Sequence, residues 1–216
     1  MFALPDSLGR SEELRLLVLG AHADDAEIGA GGTVLRLLRE RPRTRVMWVV
    51  ATGAGTAREA EARASAGAFL AGAAGADVAV WDFRDGFLPY DAGVKERFES
   101  DLAGFAPHVV LTHARDDRHQ DHRAMSDLAW NTFRAGATIA EYEIPKWDGD
   151  LGRPNSYVRL DGETFGRKVA LLMEHFPGQT AKPWFTPDTF RGLARLRGVE
   201  AGATFAEGFY CRKMIW

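Results

Sequence analysis

The chain has 216 residues, 46% hydrophobic and 26% charged, with a formal net charge of -3. That is enough for one domain with its own core, so a single domain over residues 1–216 is expected. Acids and bases are interspersed, leaving no basic stripe for nucleic acid and no polybasic membrane patch, and no apolar run reaches the ~18 residues of a spanning helix.

One cysteine, Cys211, excludes an internal disulfide and a cysteine-based zinc cluster. The opening MFALPDSLGRSEE lacks the basic start and long apolar centre of an export signal. Both observations place the protein in the cytoplasm as an expectation.

In chain order, four apolar, β-rich runs stand out: LRLLVLGA (14–21), RVMWVVAT (45–52), DVAVWDF (77–83) and HVVLTH (108–113). Helical patterns are expected near 30–40, 56–72, 93–105 and 120–135; in the last, Met125, Leu128, Ala129 and Phe133 share a face. Strands alternating with helices predict an α/β, Rossmann-like fold, a mostly parallel sheet with helices on both faces. Such sheets carry their sites beyond the carboxyl ends of the strands.

Two stretches at those ends have no packing reason to exist. GAHADDAEIGAGGT (20–33) follows the first strand with His22, Asp24 and Asp25. The plain reading is a turn and a helix cap. Its glycines do not give the G-x-G-x-x-G spacing of a dinucleotide loop, and two acids ahead of them would repel a pyrophosphate. THARDDRHQDHRAMSDLAW (112–130) follows the fourth strand, with His119 and His122 three apart on one face of a helix start. Both clusters leave the same sheet edge. Two imidazoles and a carboxylate, with one position left to water, is a usual ligand set for catalytic zinc.

These residues resemble the LmbE-like or PIG-L-like N-acetylglucosaminyl deacetylases, zinc hydrolases of N-acetylated amino sugars. The likeness lies in HADDAEIGAGGT, with Ala23 where the family usually has proline, and in HQDH, with Gln120 in the proline position. It extends to TAREAEARASAGAFL, DFRDGFL and YEIPKWDGDLGRPNSYV. The last segment is similar to the branch associated with bacterial surface-polysaccharide and glycoconjugate pathways.

The resemblance implies that His22, Asp25 and His122 bind Zn2+ or another divalent transition metal, and that Asp24 stays off the metal as general base. His119 is then the candidate donor to the carbonyl oxygen, as an imidazolium kept oriented and charged by Asp121. Asp24 or His119 would protonate the leaving amine. Arg58, Asp85 and Trp147 are candidate substrate contacts, while Tyr157 is expected to pin the loop at 141–161. His108 and His113 are expected to be structural, and His175 is either a helix-end residue or part of the pocket mouth.

The implied substrate is a small N-acetyl amino sugar, free, nucleotide-linked or lipid-linked. The motifs bind the metal and not the leaving group, so a zinc amidase or deacylase of a thiol conjugate or antibiotic carries the same signature. A non-catalytic sugar-binding module would have no need of Asp24. The apolar C-terminal stretch GVEAGATFAEGFYCRKMIW is expected to pack on the domain or on a second subunit, which leaves a homo-oligomer open.

Overall fold

A computed structural model describes residues 13–213. The opening segment read for an export signal, except its last residue, and the final three residues of the C-terminal stretch lie outside the described residues.

The elements run β1 (Leu14–Gly20), α1 (Asp25–Glu40), β2 (Thr44–Thr52), α2 (Ala57–Phe69), β3 (Gly75–Phe83), α3 (Ala92–Leu102), β4 (Val109–His113) and α4 (Gln120–Phe133). They continue with β5 (Thr138–Tyr142), β6 (Ser156–Leu160), α5 (Gly162–His175), α6 (Pro187–Ala201) and β7 (Phe205–Tyr210). The strands form one sheet in the order β3-β2-β1-β4-β5-β7-β6. The first five are parallel neighbours, and β7 runs antiparallel between β5 and β6. The expected mostly parallel α/β layer structure is present, extended by three strands beyond the four apolar runs.

Side chains alternate across a strand, so β1 must be apolar throughout if both its faces are covered. Leu16 and Val18 enter a core with α1, α2, α5 and α6, through Val34, Ala66, Leu172 and Phe190. Leu17 and Leu19 enter the opposite core with α3 and α4, through Phe98, Met125 and Phe133. Helices therefore lie on both faces.

The glycines after the first motif fall inside α1, where they permit close packing. A Cβ at Gly29 would overlap the Tyr142 ring, and one at Gly32 would come within 2.5 Å of Leu160. Bare backbone there also admits a buried ion pair: Lys168 donates to the Ile28 carbonyl, and Glu207 accepts the N–H groups of Gly32 and Thr33. This seating of α1 fixes where its first residues, the motif, meet the sheet edge.

Candidate metal centre

β1 and β4 are adjacent where the strand order reverses, and their carboxyl ends bring the two motifs together. After Gly20 the chain turns into α1 through Asp24, at φ 104° and ψ -24°, and this N-cap residue makes no capping bond with its side chain. Left-handed backbone costs a non-glycine residue of order 1 kcal/mol. The plain cap reading fails here, because the strained turn aims the Asp24 carboxylate away from the helix and onto Arg58, at 3.0 Å.

Three donor atoms form a compact triangle. His22 Nδ1 lies 3.2 Å from Asp25 Oδ2 and 3.3 Å from His122 Nε2, and the third side, His122 Nε2 to Asp25 Oδ2, is 3.5 Å. A tetrahedral zinc with ligands at ~2.0–2.1 Å needs donors ~3.3–3.4 Å apart. The triangle has that spacing. Around it, His22, His119 and His122, then Asp25, His113 and His122, and then His22, Asp85 and Asp121 each bring donor atoms within 4.8 Å of one another.

Each imidazole of the triangle has a carboxylate on its other nitrogen. His22 Nε2 lies 3.2 Å from Asp121 Oδ2 and 3.0 Å from Asp85 Oδ1, and His122 Nδ1 lies 2.9 Å from Asp117 Oδ2. Such partners fix ring orientation and tautomer and raise the basicity of a metal-binding nitrogen. Asp121, fully buried, also accepts the N–H groups of Gly86 (2.6 Å) and Leu88 (3.1 Å), tying the loop after β3 to the centre.

That arrangement corrects one expectation. The Asp121 carboxylate does not hold His119, because residues two apart at a helix start face different ways. Only the Asp121 backbone N–H reaches it, donating to His119 Nδ1 at 3.2 Å. An accepting nitrogen carries no proton, so this geometry favours the neutral imidazole with its proton on Nε2. Burial lowers its pKa, and the charges of His122 and His22 lower it further. The surroundings favour a neutral N–H donor over the expected imidazolium.

Two buried groups were not singled out from the sequence. His113, expected to be structural, stacks on His122 at 3.9 Å and 18° and lies 3.3 Å from Asp25 Oδ2. Its Nε2 accepts the Ala21 N–H at 3.0 Å, and burial, reinforced by the charge of His122, pushes its pKa down to about 4. Glu27 accepts from Ser65 Oγ at 2.7 Å, and burial pushes its carboxyl up to about 8. Burial likewise pushes Asp24 up to about 7, helped by the adjacent Asp25 charge and opposed by Arg58.

The family model for PIG-L, GlcNAc-PI de-N-acetylase, matches residues 17–133, a span from β1 to the end of α4 that contains all three triangle residues. The chain belongs to the PIG-L family. No curated protein sequence matches this PIG-L chain. Among solved structures, a conserved protein of Thermus thermophilus is similar at 22% identity, with 94% of this chain and 96% of that one covered and a TM-score of 0.75. The N,N'-diacetylchitobiose deacetylase of Pyrococcus horikoshii is similar at 22% identity, with 90% and 82% covered and a TM-score of 0.70. The 4-carboxy-2-hydroxymuconate hydratase of Pseudomonas putida is similar at 20% identity, with 94% and 98% covered and a TM-score of 0.73. At these identities the likeness establishes the fold.

The remaining candidates of this PIG-L chain divide. Arg58 is already engaged, donating to Asp24, to the Ala23 carbonyl and to Glu61. Asp85 is exposed and touches His22. Trp147, 68% exposed, meets the ring of Trp184 edge-on at 6.2 Å, and its neighbour Lys146 reaches Asp117. Tyr157, in β6, donates to the Pro154 carbonyl at the end of the loop before it. His108 bonds to Arg15, and His175 is the last residue of α5. Among the described residues no helix is long and apolar enough to cross a membrane.

Proposed function

We propose that this chain is a metal-dependent N-deacetylase that hydrolyses the acetamide of an N-acetylated amino sugar, with Zn2+ or another divalent transition metal held by His22, Asp25 and His122. The observation that carries the reading is the donor triangle of 3.2, 3.3 and 3.5 Å, backed by carboxylates on both imidazoles. Family membership supplies the reaction class. Bound there, the ion would polarise the acetamide carbonyl and make an attacking water more acidic.

The chain's own residues do the rest. Asp24, held by Arg58 and kept out of the triangle by its left-handed backbone, takes the proton of the attacking water. His119 Nε2–H donates to the carbonyl oxygen as it gains charge. Asp24 returns that proton to the departing nitrogen, so acetate and a free amino sugar leave. Asp85, beside His22, and Trp147, exposed on the β5–β6 loop, are the candidate contacts for the sugar, the first for a hydroxyl and the second for a ring face. A chain with one cysteine suits the cytoplasm, and the segment at 142–158 supports a place in surface-polysaccharide or glycoconjugate synthesis.

Metal analysis of the purified protein, paired with acetate release from free, nucleotide-linked and lipid-linked N-acetyl sugars, tests this reading. One class should turn over, and His122→Ala should lose metal and activity together. Full metal content in His122→Ala would remove the ligand assignment. Hydration of an unsaturated carboxylic acid without acetate release would assign the centre to the chemistry of the hydratase that shares its fold.

A further inference from the structure

His122 is held by Asp117, and Asp117 is held in turn from a distant part of the chain. Asp117 is 6% exposed. Its Oδ2 lies 2.9 Å from His122 Nδ1, while its Oδ1 accepts the His119 N–H at 2.8 Å and lies 3.1 Å from Lys146 Nζ. Lys146 comes from the loop between β5 and β6. Its ammonium, also nearly buried, is 2.6 Å from Asp150 Oδ2, which accepts the Arg118 N–H at 2.8 Å. A closed circuit results, running from the start of α4 through Asp117, Lys146 and Asp150 back to Arg118.

The loop is seated at both ends without Lys146: Ile144 packs in the core and Glu143 pairs with Arg197, while Asn155 bonds to Phe209 and Cys211. Asp117 and Asp150, two of the three carboxylates that Lys146 reaches, Asp148 at 3.4 Å being the third, line a cleft of about 180 Å3 together with Glu143, Arg153 and Tyr210. Between those ends the loop passes over the cleft, and there Lys146 and its carboxylates tie it to the start of α4. Without the ammonium, two buried carboxylates would face one another with no cation between them. Like charges in that setting drive the groups apart.

We propose that Lys146 is a positioning residue for the metal, clamping Asp117 against His122 and so fixing the orientation of a ligand ring from the β5–β6 loop. The proposal rests on the reading of His122 as a ligand. Two effects of the lysine oppose each other. Its charge offsets that of Asp117, so by electrostatics alone its loss would tighten metal binding. Its geometry holds the carboxylate in place, and loss of such a partner typically costs ~10- to 100-fold in metal affinity. The clamp requires the geometric effect to win, so the sign of the change is diagnostic.

The test is zinc affinity of the metal-free full-length protein, measured by competition with a chromophoric chelator, beside the melting temperature of the same metal-free samples. Asp117→Asn should bind zinc roughly 10- to 100-fold more weakly and Lys146→Met roughly 10-fold more weakly. Lys146→Arg should restore affinity to within a few-fold. Asp150→Asn, which releases only the loop end of the clamp, should weaken binding several-fold and serves if Lys146→Met does not fold. Unchanged or tighter zinc binding in Lys146→Met, or in Asp150→Asn where that variant stands in for it, with or without a lower melting temperature, would overturn the proposal and leave Lys146 a loop anchor. His122→Ala separates the two readings: if it keeps its zinc the ligand assignment falls, whereas zinc loss there beside full affinity in Lys146→Met sinks the clamp alone.

Discussion

Buried charge occurs in two regions of this molecule, and they are built on opposite terms. Under α1, Lys168 and Glu207 pair at 2.6 Å, and the ammonium also donates to the Ile28 carbonyl at 2.6 Å. Glu207 accepts from the Gly32 N–H at 2.9 Å and from the Thr33 N–H and hydroxyl, both at 2.6 Å. One cation meets one anion, and the lone pairs are taken up. At the ends of β1 and β4, the carboxylates of Asp24, Asp25, Asp117 and Asp121 crowd against His22, His113, His119 and His122. Arg58 and Lys146 are the fixed cations there. Glu27 Oε2 and His113 Nδ1 are buried without a hydrogen-bond partner, and Asp24 has left-handed backbone. A buried network that balances its charge and closes its bonds is part of the scaffold. One left with surplus donor atoms and local strain is arranged for something it binds.

The largest expected effect comes from Asp24→Asn. Asparagine tolerates the left-handed backbone, so the turn should persist. Turnover should fall ~100- to 10,000-fold, the usual range for a lost general base. Metal content should stay level, and the melting temperature should hold or rise, because a carboxylate that burial and Asp25 disfavour has been neutralised. Metal loss in this variant would mean that Asp24 and Asp25 exchange roles.

Lys168→Met should behave the other way. It leaves Glu207 buried without its cation, which costs ~3–5 kcal/mol, or roughly 6–20 °C in Tm for a chain of this size. Metal affinity of the folded fraction should be unchanged. Adding Glu207→Gln should recover part of the loss, since it removes the unpaired buried charge while its single amide oxygen can still accept from Thr33. Thermal melts and zinc titrations on the two single variants decide the matter. Equal destabilisation by Asp24→Asn and Lys168→Met would erase the distinction between scaffold and site.

The sequence made β1 to β4 legible, because strands covered by helices read as apolar runs, and these four do so with their charged residues confined near the strand ends. β5, β6 and β7 escaped that signal. Glu141 stands next to last in TIAEY, fully buried on Arg115, Trp130 and Arg212, and Glu207 and Gly208 break the last strand. Partners that neutralise those charges come from remote segments, which no local pattern reveals. At the site, spacing and the carboxyl-end rule brought His22, Asp25, His119 and His122 to one sheet edge, and the family resemblance nominated His22, Asp25 and His122 among them. Asp117 was passed over because its place on His122 depends on how the chain enters α4. His113 could have been found. It is the last residue of β4, on the same sheet edge that nominated His22, and applying the carboxyl-end rule to it would have placed it at the centre. The misplacement of the Asp121 carboxylate was avoidable too, since side chains two apart do not share a helix face.

The smallest predicted effect sharpens the comparison with a third carboxylate, half exposed and belonging to neither network. Asp161 caps α5, accepting the Thr164 N–H at 2.7 Å, and pairs with Arg39 of α1 at 2.8 Å. The Thr164 bonds and then Arg39 pull its pKa from the usual carboxylate value down to about 2. A folded-state pKa below the unfolded one contributes stability that is fully present above about pH 4–5 and is lost as pH falls through about 2. Because the group is solvent-screened, the cap is worth about 1 kcal/mol, well under the full linkage value of the shift. Asp161→Ala should therefore lower stability by about that amount at neutral pH and progressively less toward pH 2, where the wild-type cap is itself protonated. Asp161→Asn keeps a capping oxygen without a titrating charge, so it should lie between the two at pH 7 and show the flatter acid profile. Denaturant melts from pH 7 to pH 2 measure this directly. A difference between wild type and Asp161→Ala that stays constant down to pH 2 would show that the carboxylate's charge contributes nothing, leaving the cap to shape alone.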